Sequence, residues 1–203
     1  MYKIIQKMNR ILNKGKEKVL ECFYKNKKEL YFSEILRETK LTPNTTLKHL
    51  NNLKDLIISK KTRGNRFYKI NNKNPQIFSI FSYFDYKRFN ELDNTRKRAI
   101  IEFINRLKIK PLIALIFGST AKKSYTKESD IDILLIFNEK RKKDKNLKKD
   151  IESLTGTNIQ AFIIDYNYFK EQLLKKEDNI ILHAVKTGFV ILGCYYFYSE
   201  VLR

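Results

Sequence analysis

Two carboxylates separated by one residue, Asp130 and Asp132, head the apolar run Asp130-Ile-Asp-Ile-Leu-Leu-Ile-Phe137. In an extended chain residues i and i+2 face the same side, so the two acids point together. Like charges that close repel, and a divalent cation relieves the repulsion. A spacer of ten residues upstream, a second apolar run, Leu112-Ile-Ala-Leu-Ile-Phe117, ends in Gly118-Ser119. A small pair where a strand gives way to a short helix offers backbone N–H groups to a phosphate. A phosphate cradle beside a carboxylate metal site suits chemistry on nucleoside phosphates.

An apolar strand, Gly-Ser, about ten residues and then Asp-apolar-Asp resembles the minimal nucleotidyltransferase branch of the polymerase-beta-like superfamily. The match falls on Gly118, Ser119, Asp130 and Asp132. The closing stretch Lys186-Thr-Gly-Phe-Val-Ile-Leu-Gly-Cys-Tyr-Tyr-Phe-Tyr198 is similar to the last strand and aromatic segment of small members of that branch. The resemblance implies that Gly118 and Ser119 hold the β- and γ-phosphates of a nucleoside triphosphate, ATP by default, with Lys122 and Ser129 as further nucleotide contacts. It implies that Asp130 and Asp132 are the catalytic pair and bind Mg²⁺ or Mn²⁺. The expected reaction is transfer of a nucleoside monophosphate with release of pyrophosphate.

Many active relatives carry a third carboxylate on a neighbouring strand. Here the candidate strand is Asn158–Asp165, and Gln160 falls at that position. Asp165 is the one carboxylate within reach, but it lies at the strand end with the opposite parity. A third acid supports the metal and can take the proton of the attacking hydroxyl. Relatives also show Arg in the spacer, where this chain has Thr120, Lys122 and Lys123; lysine meets a phosphate only as a point charge. Three functions stay open: an active transferase, a DNA-binding regulator whose transferase domain senses nucleotide, and an antitoxin that nucleotidylates a partner toxin.

These residues need a scaffold, and 203 residues with 14 Phe and 12 Tyr suffice for two small cores. The expected fold is α/β (α+β): an N-terminal winged helix-turn-helix over 1–75, a helical linker over 76–108, and a nucleotidyltransferase domain with a small mixed sheet over 109–203. Residues 17–26 carry apolar positions at helical spacing. Ser33 is expected to cap a second helix with Ile35 and Leu36 inward. Thr42-Pro43 opens a third, with Leu47, Leu50 and Leu53 as its buried stripe. Ile57–Thr62 and Phe67–Asn71 flank a Gly-Asn turn and predict a β-hairpin. Helix, helix, helix and basic hairpin resemble the winged helix of small prokaryotic regulators. That resemblance implies major-groove contacts from Asn44, Thr45, Thr46, Lys48, His49 and Asn52, and contacts from Arg63 and Arg66 at the wing.

The formal charge of +20 points to polyanions, and double-stranded DNA is the expected partner. Residues 1–75 hold 19 Lys/Arg against 6 Asp/Glu, so the excess concentrates there. Ile100, Ile101, Phe103, Ile104 and Leu107 predict an amphipathic helix over 95–107. The Phe78–Tyr86 aromatic cluster fits a core, a domain interface or a homodimer interface. Glu139–Asp150 reads as a solvated loop and helix start. No apolar run is long enough to span a membrane, so none is expected as a partner, and a cytoplasmic location follows. Cys22 and Cys194 lack metal-ligand spacing and read as buried or incidental thiols.

Overall fold

A computed structural model describes residues 12–62, 64–139, 141 and 145–203. The chain divides into two compact units. The first comprises residues through Phe84 together with Leu202 and Arg203; the second runs from Asp85 to Val201.

The first unit begins with α1 (Lys14–Asn26), started by Asn13, whose side chain accepts the Lys16 N–H at 2.9 Å. Then follow β1 (Leu30–Tyr31), α2 (Phe32–Thr39), α3 (Pro43–Asn52), β2 (Ile57–Thr62) and β3 (Asn65–Ile70). The strands form an antiparallel sheet in the order β1-β3-β2. The hairpin closes tightly, with Thr62 opposite Asn65 and Gly64 at φ +85, a left-handed value suited to glycine. Helix α2 starts two residues earlier than a Ser33 cap predicts: Tyr31 is its cap residue, and the Glu34 carboxylate accepts the Tyr31 N–H at 2.7 Å. In α3, Thr42 and Pro43 start the helix as expected. Its inward stripe is Thr46, Leu50 and Leu53, with Leu47 only partly covered. At about 100° per residue, the position four before Leu50 shares its face more closely than the one three before. Leu20, Phe23, Leu30 and Ile35 fill the core, and Tyr24 packs edge-on to Phe81 at 5.5 Å. The aromatic cluster from Phe78 therefore contributes to a core. Burial and Glu38 push the Cys22 thiol up to about 12, which keeps it inert.

Helix α4 (Gln76–Asn90) contains the division between units. The second unit continues with α5 (Asn94–Arg106), β4 (Ile113–Phe117), α6 (Gly118–Lys122), β5 (Ile131–Phe137) and α7 (Lys145–Thr155). It ends with β6 (Ile159–Asp165), α8 (Tyr166–Lys175), α9 (Asn179–Thr187), β7 (Phe189–Leu192) and α10 (Cys194–Val201). The sheet order is β6-β5-β4-β7, with β5 parallel to β6 and antiparallel to β4. It is a small mixed sheet. Strand β4 is buried at every position, as a continuous apolar run in a central strand must be.

One sheet face, with Ile131, Ile133, Leu135 and Phe137, packs on Ala99, Ile100 and Phe103 of α5 and Ile151 of α7. Residues 85–106, expected as part of a linker, are thus structural members of the second unit, because α5 supplies the apolar surface that this face must bury. Ile101, expected on the inner stripe, is 47% exposed. The opposite face carries Asp132, Phe117 and Gln160 at one end. Helices α1, α2, α6 and α8 each stop on a lysine with φ between 51° and 59° (Lys27, Lys40, Lys123 and Lys176), whose N–H closes the last turn.

Candidate active site

Strand β4 ends at Phe117, and the chain turns through Gly118 at φ +66 into the five-residue helix α6. Two demands fix glycine there. The left-handed backbone disfavours a side chain, and a Cβ would overlap Asp132 Oδ2, with Asp132 Cγ only 3.0 Å away. Gly118 and Asp132 are therefore in direct packing contact. Ser119 is half-buried in the first turn, and Lys122 is exposed at the end of α6. Ser129 is committed locally: its hydroxyl accepts the Thr126 N–H at 2.9 Å.

Asp130 immediately precedes β5, and its Oδ1 accepts from Asn158 Nδ2 at 2.9 Å. The other amide atom, Asn158 Oδ1, is shielded and finds no partner among the described residues. Asp132 stands opposite Phe117 on β4 and beside Gln160 on β6. Burial raises the Asp132 carboxyl above the usual range, Asp130 raises it further, and His183 of α9 pulls it back. A crowded, partly desolvated carboxylate pair with hard oxygen donors fits Mg²⁺ or Mn²⁺, which favour such ligands. Among the described residues no group of three or more His, Cys, Asp or Glu is placed to hold a metal.

The register fixes which strand residues neighbour Asp132. Gln160 is the in-register neighbour of Asp132 in a parallel pair, so both side chains leave the same face. Asp165 pairs with Phe137 at the far end, about 16 Å along the strand. It caps α8, accepting the Tyr168 N–H at 2.9 Å.

Three side chains around the site carry no signal in the sequence. His183 reaches the Asp132 neighbourhood by packing edge-on to Phe117, with centroids 6.1 Å apart. Arg88 donates to the carbonyls of Ala121 (2.9 Å), Thr187 (2.7 Å) and Gly188 (2.8 Å), tying the ends of α6 and α9 together. Arg96 of α5 is buried beneath the spacer, between Thr120 and the carbonyls that lead into Asp130. All three act through tertiary approach, and nothing in their local spacing announces it.

In the first unit, Asn44, Lys48 and Asn52 lie exposed on α3, and Thr45 is half-exposed with its hydroxyl 2.8 Å from that of Thr42. Thr46 is fully buried, so it makes no groove contact; its position four before Leu50 turns it into the core. His49 is half-buried with its imidazole over Gly15, where a Cβ would collide with it. Burial, then Lys16 and Lys48, holds its pKa below the ordinary value. Arg66 is exposed on β3 opposite Lys61. Arg63 lies outside the described residues.

Residues 98–186 match the family model described as polymerase beta, nucleotidyltransferase. The match spans Gly118, Ser119, Asp130, Asp132, Gln160 and His183, and supports the nucleotidyltransferase superfamily for this segment. No curated protein and no solved structure matches the chain. No helix among the described residues is long and apolar enough to cross a membrane.

Proposed function

We propose that the chain is a divalent-metal-dependent nucleotidyltransferase that moves a nucleoside monophosphate from a nucleoside triphosphate to an acceptor hydroxyl. The observation that carries this reading is the packing of Gly118 on the Asp132 carboxylate. A triphosphate resting on the Gly118–Ser119 turn would lie against Asp132, two residues along the strand from Asp130. Gly118 and Ser119 offer backbone N–H groups, and Ser119 its hydroxyl, to the outer phosphates; exposed Lys122 adds positive charge. Asp130 and Asp132 would hold Mg²⁺ or Mn²⁺, with Asn158 orienting the Asp130 carboxylate. A cation held there would supply charge neutralisation to the phosphates as the acceptor oxygen bonds the α-phosphorus and pyrophosphate leaves. Gln160 can hydrogen-bond the acceptor hydroxyl but cannot take its proton, which leaves to solvent.

The first unit we read as a winged helix-turn-helix for double-stranded DNA. Its support is the order helix–strand–helix–helix–hairpin, the exposed polar face of α3, and the excess of cations in residues 1–75. The deciding experiment incubates the full chain with each triphosphate labelled at the α-phosphate, with Mg²⁺ and with EDTA. Metal-dependent transfer of label to nucleic acid, to the protein itself or to a co-purified protein supports the reading; label on a partner protein selects the antitoxin form of it. Gln160 favours a second reading, a regulator that binds nucleotide without turnover. Metal-dependent triphosphate binding with no transfer to any acceptor selects that one.

A further inference from the structure

We infer that Arg96 is a positioning residue that holds the phosphate cradle and the acidic pair at the separation one metal–triphosphate unit can span; this rests on the transferase reading above. Arg96 lies outside the matched segment 98–186, on a helix expected from sequence to be a linker. Its side chain is 4% exposed. One guanidinium nitrogen, Nη1, donates to Thr120 Oγ1 of α6 at 2.8 Å and approaches the Asp130 carbonyl at 3.5 Å. The other, Nη2, donates to the carbonyls of Thr126 (2.9 Å) and Ser129 (2.7 Å). The Tyr125 ring covers the guanidinium plane at 4.0 Å, and Asp93, at the rim, is 3.7 Å from Nε.

The ten-residue spacer is thus wound round a single cation. One fork grips the cradle helix through Thr120, and the other grips the backbone that delivers Asp130. Burying a charge is expensive, and a well-packed apolar group would fill the same space at lower cost. What an apolar group cannot do is fix several carbonyls and a hydroxyl in one rigid, planar geometry. Arg96 touches neither of the acids' side chains nor the Gly118–Ser119 turn, so each half keeps its own ligand-binding groups when Arg96 is changed. Only their mutual placement suffers.

That separation gives the test. With full-length protein, calorimetry measures Mn²⁺ alone, a non-hydrolysable ATP analogue alone, and the analogue with saturating Mn²⁺. The ratio of analogue affinities with and without Mn²⁺ is the coupling, expected to be about tenfold or more in the wild type. Arg96→Lys is expected to leave the two separate affinities within about twofold while the coupling falls most of the way to unity. Thr120→Val, which removes one hydrogen bond and keeps the volume, is expected to lose a smaller part of the coupling, and it carries the test if Arg96→Lys does not fold. Full wild-type coupling in the variants overturns the positioning role, as does a parallel loss of all three affinities, which is the mark of general destabilisation. A wild-type protein without coupling overturns the transferase reading, and the role of Arg96 with it.

Discussion

At the scale of single residues, the centre is two carboxylates and two amides in register: Asp130 is bonded by Asn158, and Asp132 is flanked by Gln160. Replacing Gln160 with Asp places a third carboxylate beside Asp132, on the same face. Because a base acts on the transition state, the gain is expected in transfer rate rather than in nucleotide affinity. General-base help reaches about 10²–10⁴-fold, and an unadapted surrounding will deliver less. Asp165→Asn, at the far end of β6, is expected to leave both the rate and the melt nearly unchanged, because an asparagine oxygen accepts the Tyr168 N–H as the carboxylate does. Single-turnover assays and thermal melts on the two variants check both halves. Asp132 makes a different prediction. Its folded pKa is raised above the unfolded value, so the protonated form is favoured on folding, and that stability is lost as pH rises through the folded pKa. At pH 7 the charged side chain is therefore a liability, and Asp132→Asn should raise the melting temperature in EDTA while abolishing Mn²⁺ binding. The gain should fade as the pH is lowered through the folded pKa, because the native carboxyl then becomes neutral too.

At the scale of elements, α3 shows what can be read in advance and what cannot. Thr42-Pro43 opens the helix as the sequence pattern requires, and Leu50 and Leu53 are inside. Thr46 reads as a surface hydroxyl but is fully buried, with its Oγ1 unpartnered among the described residues. Thr46→Val should therefore stabilise the protein by up to about 1 kcal/mol and leave DNA affinity unchanged. Asn44→Ala with Lys48→Ala should weaken DNA binding without shifting the melt. Fluorescence anisotropy and calorimetry on both variants separate the two faces. The sheet was legible for the same reason as the helix start: apolar runs and the Gly-Ser and Asp-x-Asp pairs are short-range signals. The choice of Gln160 came from the resemblance, and strand parity served only to set Asp165 apart from it. Arg88, Arg96 and His183 were illegible, because their partners lie far away in sequence and any exposed helix carries residues of the same kinds. The start of α2 was missed because the cap works through Glu34 and the Tyr31 backbone rather than through a hydroxyl.

At the scale of the whole molecule, the charge of +20 is unevenly spread along the chain. If the first unit carries the DNA contacts, binding by the full chain should fall steeply with salt, with a log–log slope on the order of −3 to −6 as counterions are released. Changing Arg63 and Arg66 together to Ala should make the slope shallower by about one to two units and leave triphosphate binding by the second unit untouched. A titration series across salt concentrations measures the slope directly. An unchanged slope moves the polyanion surface elsewhere.

The lysines that stop four helices bear on how that charge is to be counted. Lys27, Lys40, Lys123 and Lys176 occupy left-handed positions where glycine is the usual resident, in a chain with only 6 glycines. Each carries a steric penalty of about 1 kcal/mol, partly offset because a cation at a helix C-terminus meets the favourable end of the dipole. Their backbones serve as chain stops, yet Lys40, Lys123 and Lys176 remain exposed and still count towards the surface charge. They also form a reserve for engineering. Glycine at Lys27 and Lys40 should lift the melting temperature and lower the net charge together, so that solubility, rather than fold, becomes the property that limits how far the exchange can be taken.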